Sequence, residues 1–211
     1  MAGREEQTIV AEQSARRKLL AGAAELFTRK GYAATTVREI VTSAGVTKPV
    51  LYYYFRSKEG IYLELMRETF TKADGLLASA LEERGTATAK LVRFFDRTFA
   101  LFLESVQGVR LMYGIYYGPH QGAPFFDFES YHRRIQETIR GLVEEGIRRG
   151  EFRKGDVEAM TWAILGALTV AIEVHLGHPE ISLGRKGLER ALKAILQGIW
   201  ARKGAKKEAG K

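Results

Sequence analysis

The pattern of hydrophobic and polar positions along the chain is that of a helical protein. Through most of its 211 residues, apolar side chains recur at intervals of three and four, the spacing of one face of an α-helix. The chain has four prolines, and no alternating β-branched run or Asn-Gly pair predicts a strand or a hairpin. We therefore predict an all-α fold of about nine helices.

Capping signals place three short helices near the start of the chain. The first is predicted over residues 14–30 and is followed by glycine at a C-cap position. The sequence Thr36-Val-Arg-Glu39 has the capping-box pattern that opens a second helix, which ends at Gly45. Thr47 is expected to cap a third helix, with proline in its first turn.

Longer amphipathic helices are predicted beyond Ser57, which is placed to cap the next one. Glycines and prolines separate these helices from one another. Their predicted ranges are 59–83, 87–104, 109–117, 125–149, 157–176 and 184–203.

The positive charge lies mostly in the first quarter of the chain. Residues 14–58 contain nine Lys and Arg against two acids, which is +7 of the formal net charge of +8. Residues 59–200 sum to −1. A basic face on a small helical unit is typical of nucleic-acid readers, so we predict a basic reader joined to a neutral body.

The second and third predicted helices form a helix-turn-helix, because a short turn containing glycine joins them. In such motifs the N-terminal residues of the second helix reach base edges in the major groove. Thr47, Lys48, Tyr52 and Tyr53 are expected to face outward. Neighbours on a helix point about 100° apart, so the three consecutive tyrosines cannot all be packing residues. The alternatives are that the tyrosines belong to a small core and that Lys58 is a solvated surface charge.

The segment TTVREIVTSAGVTKPVLYYYFRSKEGIYLELM resembles the DNA-binding domain of TetR/AcrR-type transcriptional repressors. The resemblance covers about 50 residues and the motif is specific. It implies a repressor with a DNA-reading domain at 1–57 and an effector-binding and dimerisation domain at 58–203. We expect the first 13 residues of the DNA-reading domain to form a flexible arm, and residues 204–211 to form a basic, disordered tail.

The resemblance also implies roles for individual residues. Thr36, Tyr52 and Tyr54 hold phosphates, and Tyr53 reaches into the groove. Thr47 and Lys48 open the recognition helix, and Lys58 clamps the DNA backbone.

Two positions depart from the family pattern. Pro49 stands where many members have glycine, so the turn is stiffer and lacks a donor. Tyr54 stands where many have histidine, so its contact is expected to differ in length or angle.

The last two predicted helices are candidates for a dimer interface. The helix at 157–176 is apolar nearly all round, which indicates burial on more than one side. The resemblance implies a two-fold homodimer that matches a palindromic operator. The alternative is a single intrachain core. The interface residues we predict are Ile164, Leu168, Ile172, Leu192, Ile195, Leu196 and Ile199.

Aromatic residues are concentrated between residues 94 and 131, a segment that holds 11 of the chain's 22. An apolar pocket lined by aromatic rings is the usual form of a small-molecule site, so we predict a hydrophobic or acyl-type effector that releases the repressor. The alternative is an aromatic-rich core. The expected effector contacts are Phe102, Tyr113, Tyr116, Tyr117, His120, Phe126 and Trp162.

Other classes of protein are less well supported. The chain has no cysteine, and no phosphate-binding loop, nucleophile elbow or dinucleotide fingerprint occurs, so we expect no enzyme, cofactor or metal. His175 and His178 have a metal-ligand spacing, but Gly177 and Pro179 break the helix there. No apolar run approaches the roughly 18 to 20 residues that span a membrane, so a cytoplasmic protein is expected. A non-specific architectural DNA-binding protein remains the main alternative, with an all-helical enzyme behind it.

Overall fold

The fold is all-α, as predicted. A computed structural model describes residues 2–118 and 122–200, with side chains from residue 14 onward. This part of the chain contains nine α-helices, one turn of 3-10 helix at Pro179–Ile181 and no β-strand. The helices are α1 (Ala2–Lys30), α2 (Val37–Ala44), α3 (Lys48–Phe55), α4 (Lys58–Ala80), α5 (Ala87–Glu104), α6 (Val106–Tyr116), α7 (Phe128–Arg148), α8 (Val157–Gly177) and α9 (Gly184–Ile199).

The predicted helix boundaries hold to within a few residues except at the start of the chain. The range predicted for α5 agrees at both ends, whereas α1 begins at Ala2 rather than at residue 14. The predicted flexible arm is therefore helical. Residues 4–13 contain neither glycine nor proline, and Glu5 and Glu6 lie in the first turns, where the helix dipole favours negative charge.

The chain divides into two compact units. Unit one consists of Met1–Thr71 and Ser105–Phe128, and unit two of Lys72–Glu104 and Glu129–Lys211. The first half of α4 and all of α6 therefore belong with the three N-terminal helices. The predicted division after residue 57 is one of function and stays a prediction.

The core of unit one holds α1, α2 and α3 together, with α6 packed on α1. The apolar face predicted for α1 is buried, including Leu19, Leu26 and Phe27. Ile40 of α2 and Leu51 of α3 are completely buried as well. The helix pair is thus fixed by its own apolar side, which leaves its polar side available.

The core of unit two is formed largely by α5, α8 and α9, which pack against one another. Its fully buried side chains include Leu91, Phe99 and Leu192. A buried ion pair accompanies them: Lys90 Nζ donates to the carboxylate of Glu145 at 2.9 and 3.0 Å, and to a backbone carbonyl at 3.0 Å.

Helix α8 is the most apolar of the described helices. Its 21 residues include an 18-residue window with a mean hydropathy of 1.6, long and apolar enough to cross a membrane. The expectation that no segment approaches this length was therefore wrong, because the alanines between the larger apolar residues keep the mean high. Only 28% of that window is buried within the chain.

Candidate nucleic-acid interface

Helix α2 begins with the capping box that the sequence predicts. The N–H of Glu39 donates to Thr36 Oγ1 at 3.3 Å, and the N–H of Thr36 donates to Glu39 Oε2 at 2.8 Å. Gly45 ends the helix in the left-handed conformation, with φ of 64°. Both ends of α2 are therefore defined by local chemistry, and Thr36 is held at the surface.

Helix α3 begins differently from the prediction. Thr47 occupies the N-cap position in extended backbone, but its side chain makes no capping hydrogen bond. Lys48 and Pro49 occupy the first turn, where proline's missing N–H costs nothing. All three residues are exposed. The hydroxyl of Thr47 therefore remains available for an external acceptor instead of serving the helix.

The three tyrosines of α3 have different exposures. Tyr53 is 73% exposed and Tyr52 is 47% exposed, whereas Tyr54 is half-buried. The ring of Tyr54 lies edge-on to that of Tyr53, with centroids 4.9 Å apart. Phe55, the next residue, is buried. Tyr52 and Tyr53 therefore face outward, as expected, and their contact with DNA stays a prediction.

Several of the nine basic residues counted in this region are already paired. Lys30 forms an ion pair with Glu39, and Arg16 pairs with two carboxylates of α4. Within the described residues, Arg38, Lys48 and Arg56 form no ion pair, and all three are exposed. Arg38 and Arg56 were not among the predicted contacts. The charge count included them, but only the structure separates paired cations from unpaired ones.

Lys58 is the predicted contact whose position differs most from expectation. Its ammonium donates to the carbonyls of Tyr32 at 2.9 Å and Thr35 at 3.0 Å. It also lies 4.2 Å from the centre of the Tyr32 ring. Burial lowers the pKa of Lys58 below its usual value. The role as a clamp on the DNA backbone stays a prediction, and in the free protein two of the three ammonium protons are bound internally.

The residues predicted to bind an effector fall into separate groups. Tyr113, Tyr116, Tyr117 and Phe126 belong to unit one, whereas Phe102 and Trp162 belong to unit two. His120 lies outside the described residues. The predicted set is therefore divided between the two units, and its joint role in one effector site stays a prediction.

The group in unit one is a continuous series of aromatic contacts. Neighbouring ring centroids are 4.8 to 6.0 Å apart. The series runs through Tyr113, Tyr117, Tyr116, Phe128, Phe126 and Phe70. Phe128 and Phe70 were missed as candidates because they lie on two different helices that sequence spacing cannot bring together.

The group in unit two is smaller. Phe102 is buried against Phe99 and the edge of His175, with centroids 5.3 Å apart in each case. The Nδ1 atom of His175 lies 3.1 Å from a serine hydroxyl. Trp162 is 55% exposed and donates its indole N–H to Glu158 at 2.7 Å. Phe102 therefore acts as a core residue, and Trp162 as a surface one.

Most of the predicted dimer contacts are core residues of a single chain. Only Ile172 and Ile195 are half-buried. The other five are buried: Ile164, Leu168, Leu192, Leu196 and Ile199. Their role in an interface stays a prediction, although side chains already covered by their own chain offer a partner little surface. The large apolar residues of α8 that are exposed are Trp162 and Val170.

The fold and the helix pair define a helix-turn-helix transcriptional regulator, and comparisons with known proteins give its family. A sequence model described as "Bacterial regulatory proteins, tetR family" matches residues 19–65, and one described as "Tetracyclin repressor-like, C-terminal domain" matches residues 87–195. The chain belongs to the TetR family.

Individual relatives extend over most of the chain. The transcriptional repressor KstR2 of Mycolicibacterium smegmatis is 28% identical over 198 residues, covering 92% of this chain and 94% of the repressor. The fatty acid metabolism regulator protein of Bacillus subtilis is 25% identical over 165 residues, which cover 72% of this chain and 78% of that regulator. The solved structure of the regulator PfmR from Thermus thermophilus matches with a TM-score of 0.66 at 28% identity. The match covers 85% of this chain and 97% of PfmR.

These relatives are regulators rather than enzymes. Among the described residues, no group of three or more His, Asp or Glu side chains lies close enough together to hold a metal ion. His178 lies 3.4 Å from Glu180 on the surface, apart from the contacts of His175. The histidine spacing seen in the sequence therefore does not correspond to a ligand set here.

Proposed function

We propose that the protein is a ligand-responsive repressor that binds a palindromic operator as a homodimer in the cytoplasm. The observation that carries this proposal is the exposed polar side of the α2–α3 pair. There, Thr36, Lys48, Tyr52 and Tyr53 lie on two short helices whose opposite sides are buried. A helix pair fixed in this way presents its second helix to the major groove.

The contacts proposed for this interface follow from side-chain chemistry. The hydroxyl of Tyr52 donates to a phosphate oxygen, and Lys48 neutralises a phosphate at the start of α3. Thr36 contacts a phosphate only if its hydroxyl turns away from Glu39, to which it donates in the free protein. Thr47 and Tyr53 reach towards base edges, and Pro49 packs against the groove. Tyr54 supports the ring of Tyr53 and contacts the backbone from its half-buried position.

Arg38 and Arg56 add two unpaired cations beyond the predicted set. Arg38 lies in the first turn of α2, and Arg56 ends α3 in the left-handed conformation, with φ of 63°. Their charges flank the polar side of the pair. We include them as phosphate contacts.

A second copy of the chain is the proposed partner of α8. Trp162 and Val170 leave more than half of their surface uncovered, on a helix with the hydropathy of a membrane span. Covering such a face with its symmetry mate buries apolar area. Helix-turn-helix dimers in general read half-sites one DNA turn apart, roughly 34–36 Å. Ile172 and Ile195 are half-buried and are kept at the edge of this interface.

The effector we propose is a hydrophobic or acyl-type molecule. The support is the aromatic series of unit one, together with a relative named for fatty acid metabolism. Tyr113, Tyr116 and Tyr117 combine apolar rings with hydroxyls, a combination suited to an apolar ligand with one polar end. Thermal-shift screening against fatty acyl-CoAs and aromatic compounds tests this, and stabilisation by small polar ligands alone would contradict it.

The DNA proposal is tested by selecting an operator from a random duplex pool and measuring its affinity against excess random DNA. A sequence-specific dimer retains the selected duplex, whereas an architectural protein is stripped from it. Tyr53→Ala is expected to weaken operator binding by about 1–3 kcal/mol. Phe125→Ala is the matched control, because Phe125 is an 86% exposed aromatic residue outside the helix pair. Equal losses for the two variants would contradict the proposed interface.

A further inference from the structure

The start of α4 is connected to the turn that precedes α2 through one side chain. The turn consists of residues 31–35, directly before the Thr36 cap. Lys58 follows α3 by three residues, and its ammonium donates to the carbonyls of Tyr32 and Thr35. One side chain thus joins the segment just after α3 to the segment just before α2.

The turn itself is built to receive this ammonium. The carbonyl of Tyr32 also accepts the N–H of Thr35 at 3.2 Å, and the hydroxyl of Thr35 donates to Gly31 at 2.8 Å. Thr35 is almost completely buried, so its side chain is fixed. The ring of Tyr32 lies under the ammonium at 4.2 Å, and the faces of aromatic rings attract cations.

We propose that Lys58 is a positioning residue that fixes the start of α2 relative to the end of α3, and that it acts on DNA binding through this tether rather than through a phosphate contact. The consequence for DNA binding rests on the proposed function. The tether itself does not. Without the ammonium, the carbonyl of Thr35 loses this donor and the carbonyl of Tyr32 keeps the N–H of Thr35. The turn that precedes Thr36 is then held less firmly against the start of α4.

A tether and a phosphate clamp differ in their dependence on salt. Each phosphate contact releases counterions, so losing one reduces the slope of log affinity against log salt by about one. Losing a tether lowers affinity at every salt concentration and leaves the slope unchanged. Lys48 provides the matched comparison, since it is an exposed lysine without an ion pair in the described chain and lies in the same motif.

The experiment measures operator affinity over a series of salt concentrations for the full chain and for Lys58→Met and Lys48→Met. We expect Lys58→Met to lose about tenfold in affinity with the wild-type slope, as removal of a buried donor implies. We expect Lys48→Met to reduce the slope by about one. A slope reduced to the same extent in Lys58→Met, or an unchanged affinity, would overturn the proposal.

Lys58→Arg is the second variant. It keeps the charge, so a phosphate clamp would survive it, whereas a planar guanidinium does not fit the site of a half-buried ammonium bound to two carbonyls. We expect Lys58→Arg to lose affinity as well. Wild-type affinity in this variant would count against the tether.

Hydrogen exchange tests the tether without DNA. In free Lys58→Met, amides of residues 31–39 are expected to exchange faster than in the wild type, while those of α9 are unchanged. Unaltered exchange at 31–39 would refute the tether even if DNA binding were lost. If the wild-type chain bound no duplex but Lys58→Met exchanged faster at residues 31–39, the proposed DNA binding would be rejected. The tether would still be supported.

Discussion

The carboxylate of Glu39 and the hydroxyl of Thr36 are hydrogen-bonded to each other, and each also accepts a backbone N–H at the start of α2. One oxygen of Glu39 accepts both the N–H and the hydroxyl of Thr36, each at 2.8 Å. The other oxygen pairs with Lys30, in the last turn of α1. This carboxylate therefore serves as a helix cap and as a link between two helices.

Removing the cap hydroxyl is expected to destabilise the protein and to weaken DNA binding. Thr36→Ala leaves the N–H of Glu39 without its acceptor, which costs about 1 kcal/mol of unfolding free energy in comparable caps. Thr36→Ser keeps the hydroxyl and is the control. Urea unfolding measures both variants. Equal stability of Thr36→Ala and the wild type would show that water replaces the cap without loss.

Glu39 is expected to give the stability a pH-dependent component. Hydrogen bonds from Lys30 and then from Thr36 lower the pKa of Glu39 from its usual 4.5 to about 2. Since the folded pKa is below the unfolded one, the stabilisation is complete above about pH 4.5 and is lost as the pH falls towards 2.

The measurement is the difference in unfolding free energy between the wild type and Glu39→Gln as a function of pH. The difference is expected to be constant near neutrality and to shrink below about pH 4.5. Glu129→Gln changes an exposed carboxylate on α7 and serves as the control. If the difference in unfolding free energy did not depend on pH, the charge of the Glu39 carboxylate would not contribute to stability.

Gly60 is expected to tolerate no larger side chain. A Cβ atom at this position would lie 1.9 Å from the backbone oxygen of Phe55, so α3 and α4 would have to move apart. Gly60→Ala should lower the melting temperature and abolish operator binding.

Gly75→Ala is the matched control on the same helix. It has open space around the added methyl group and should raise stability by about 0.5–1 kcal/mol, since alanine favours helices. Differential scanning calorimetry of the two variants measures the contrast. A melting temperature for Gly60→Ala at or above that of the wild type would disprove the steric argument.

Val170→Arg is expected to separate the proposed dimer. Val170 is 56% exposed on α8, and a two-fold interface would bring two added charges together near its axis. The dimer dissociation constant should rise at least about a hundredfold, the loss expected for unpaired buried charges. Leu103→Arg, an exposed apolar position on α5, is the control. Analytical ultracentrifugation measures both, and a fully dimeric Val170→Arg would place the interface elsewhere.

The fold was largely predictable because helix signals are local. The capping box at Thr36, the left-handed Gly45 and the range of α5 depend on neighbouring residues alone. The outward direction of Tyr52 and Tyr53 also follows from helix geometry. The N-terminal extension of α1 was missed because charged residues without a breaker fit both a helix and a flexible arm.

The candidate site was less predictable, because it depends on contacts between residues distant in sequence. Lys58 bonds to residues 23 and 26 positions earlier, and no local pattern marks a lysine as internally bound. Burial in α8 was equally hard to predict, because Ile164 and Trp162 are both large apolar residues, yet Ile164 is buried and Trp162 is exposed. Apolar residues all round a helix indicate burial on both sides without saying which side a proposed partner would cover.

The close approach at Gly60 also restricts how this DNA reader can be exchanged between regulators. In a chimera joined between Arg56 and Lys58, the end of α3 would come from one parent and Gly60 from the other. The glycine that permits the close approach of α4 to Phe55 could then be missing. The junction therefore belongs after Gly60, so that Lys58 and Gly60 come from the same parent as the N-terminal segments that they contact. Specificity would then be transferable as one piece, ending in the first turn of α4.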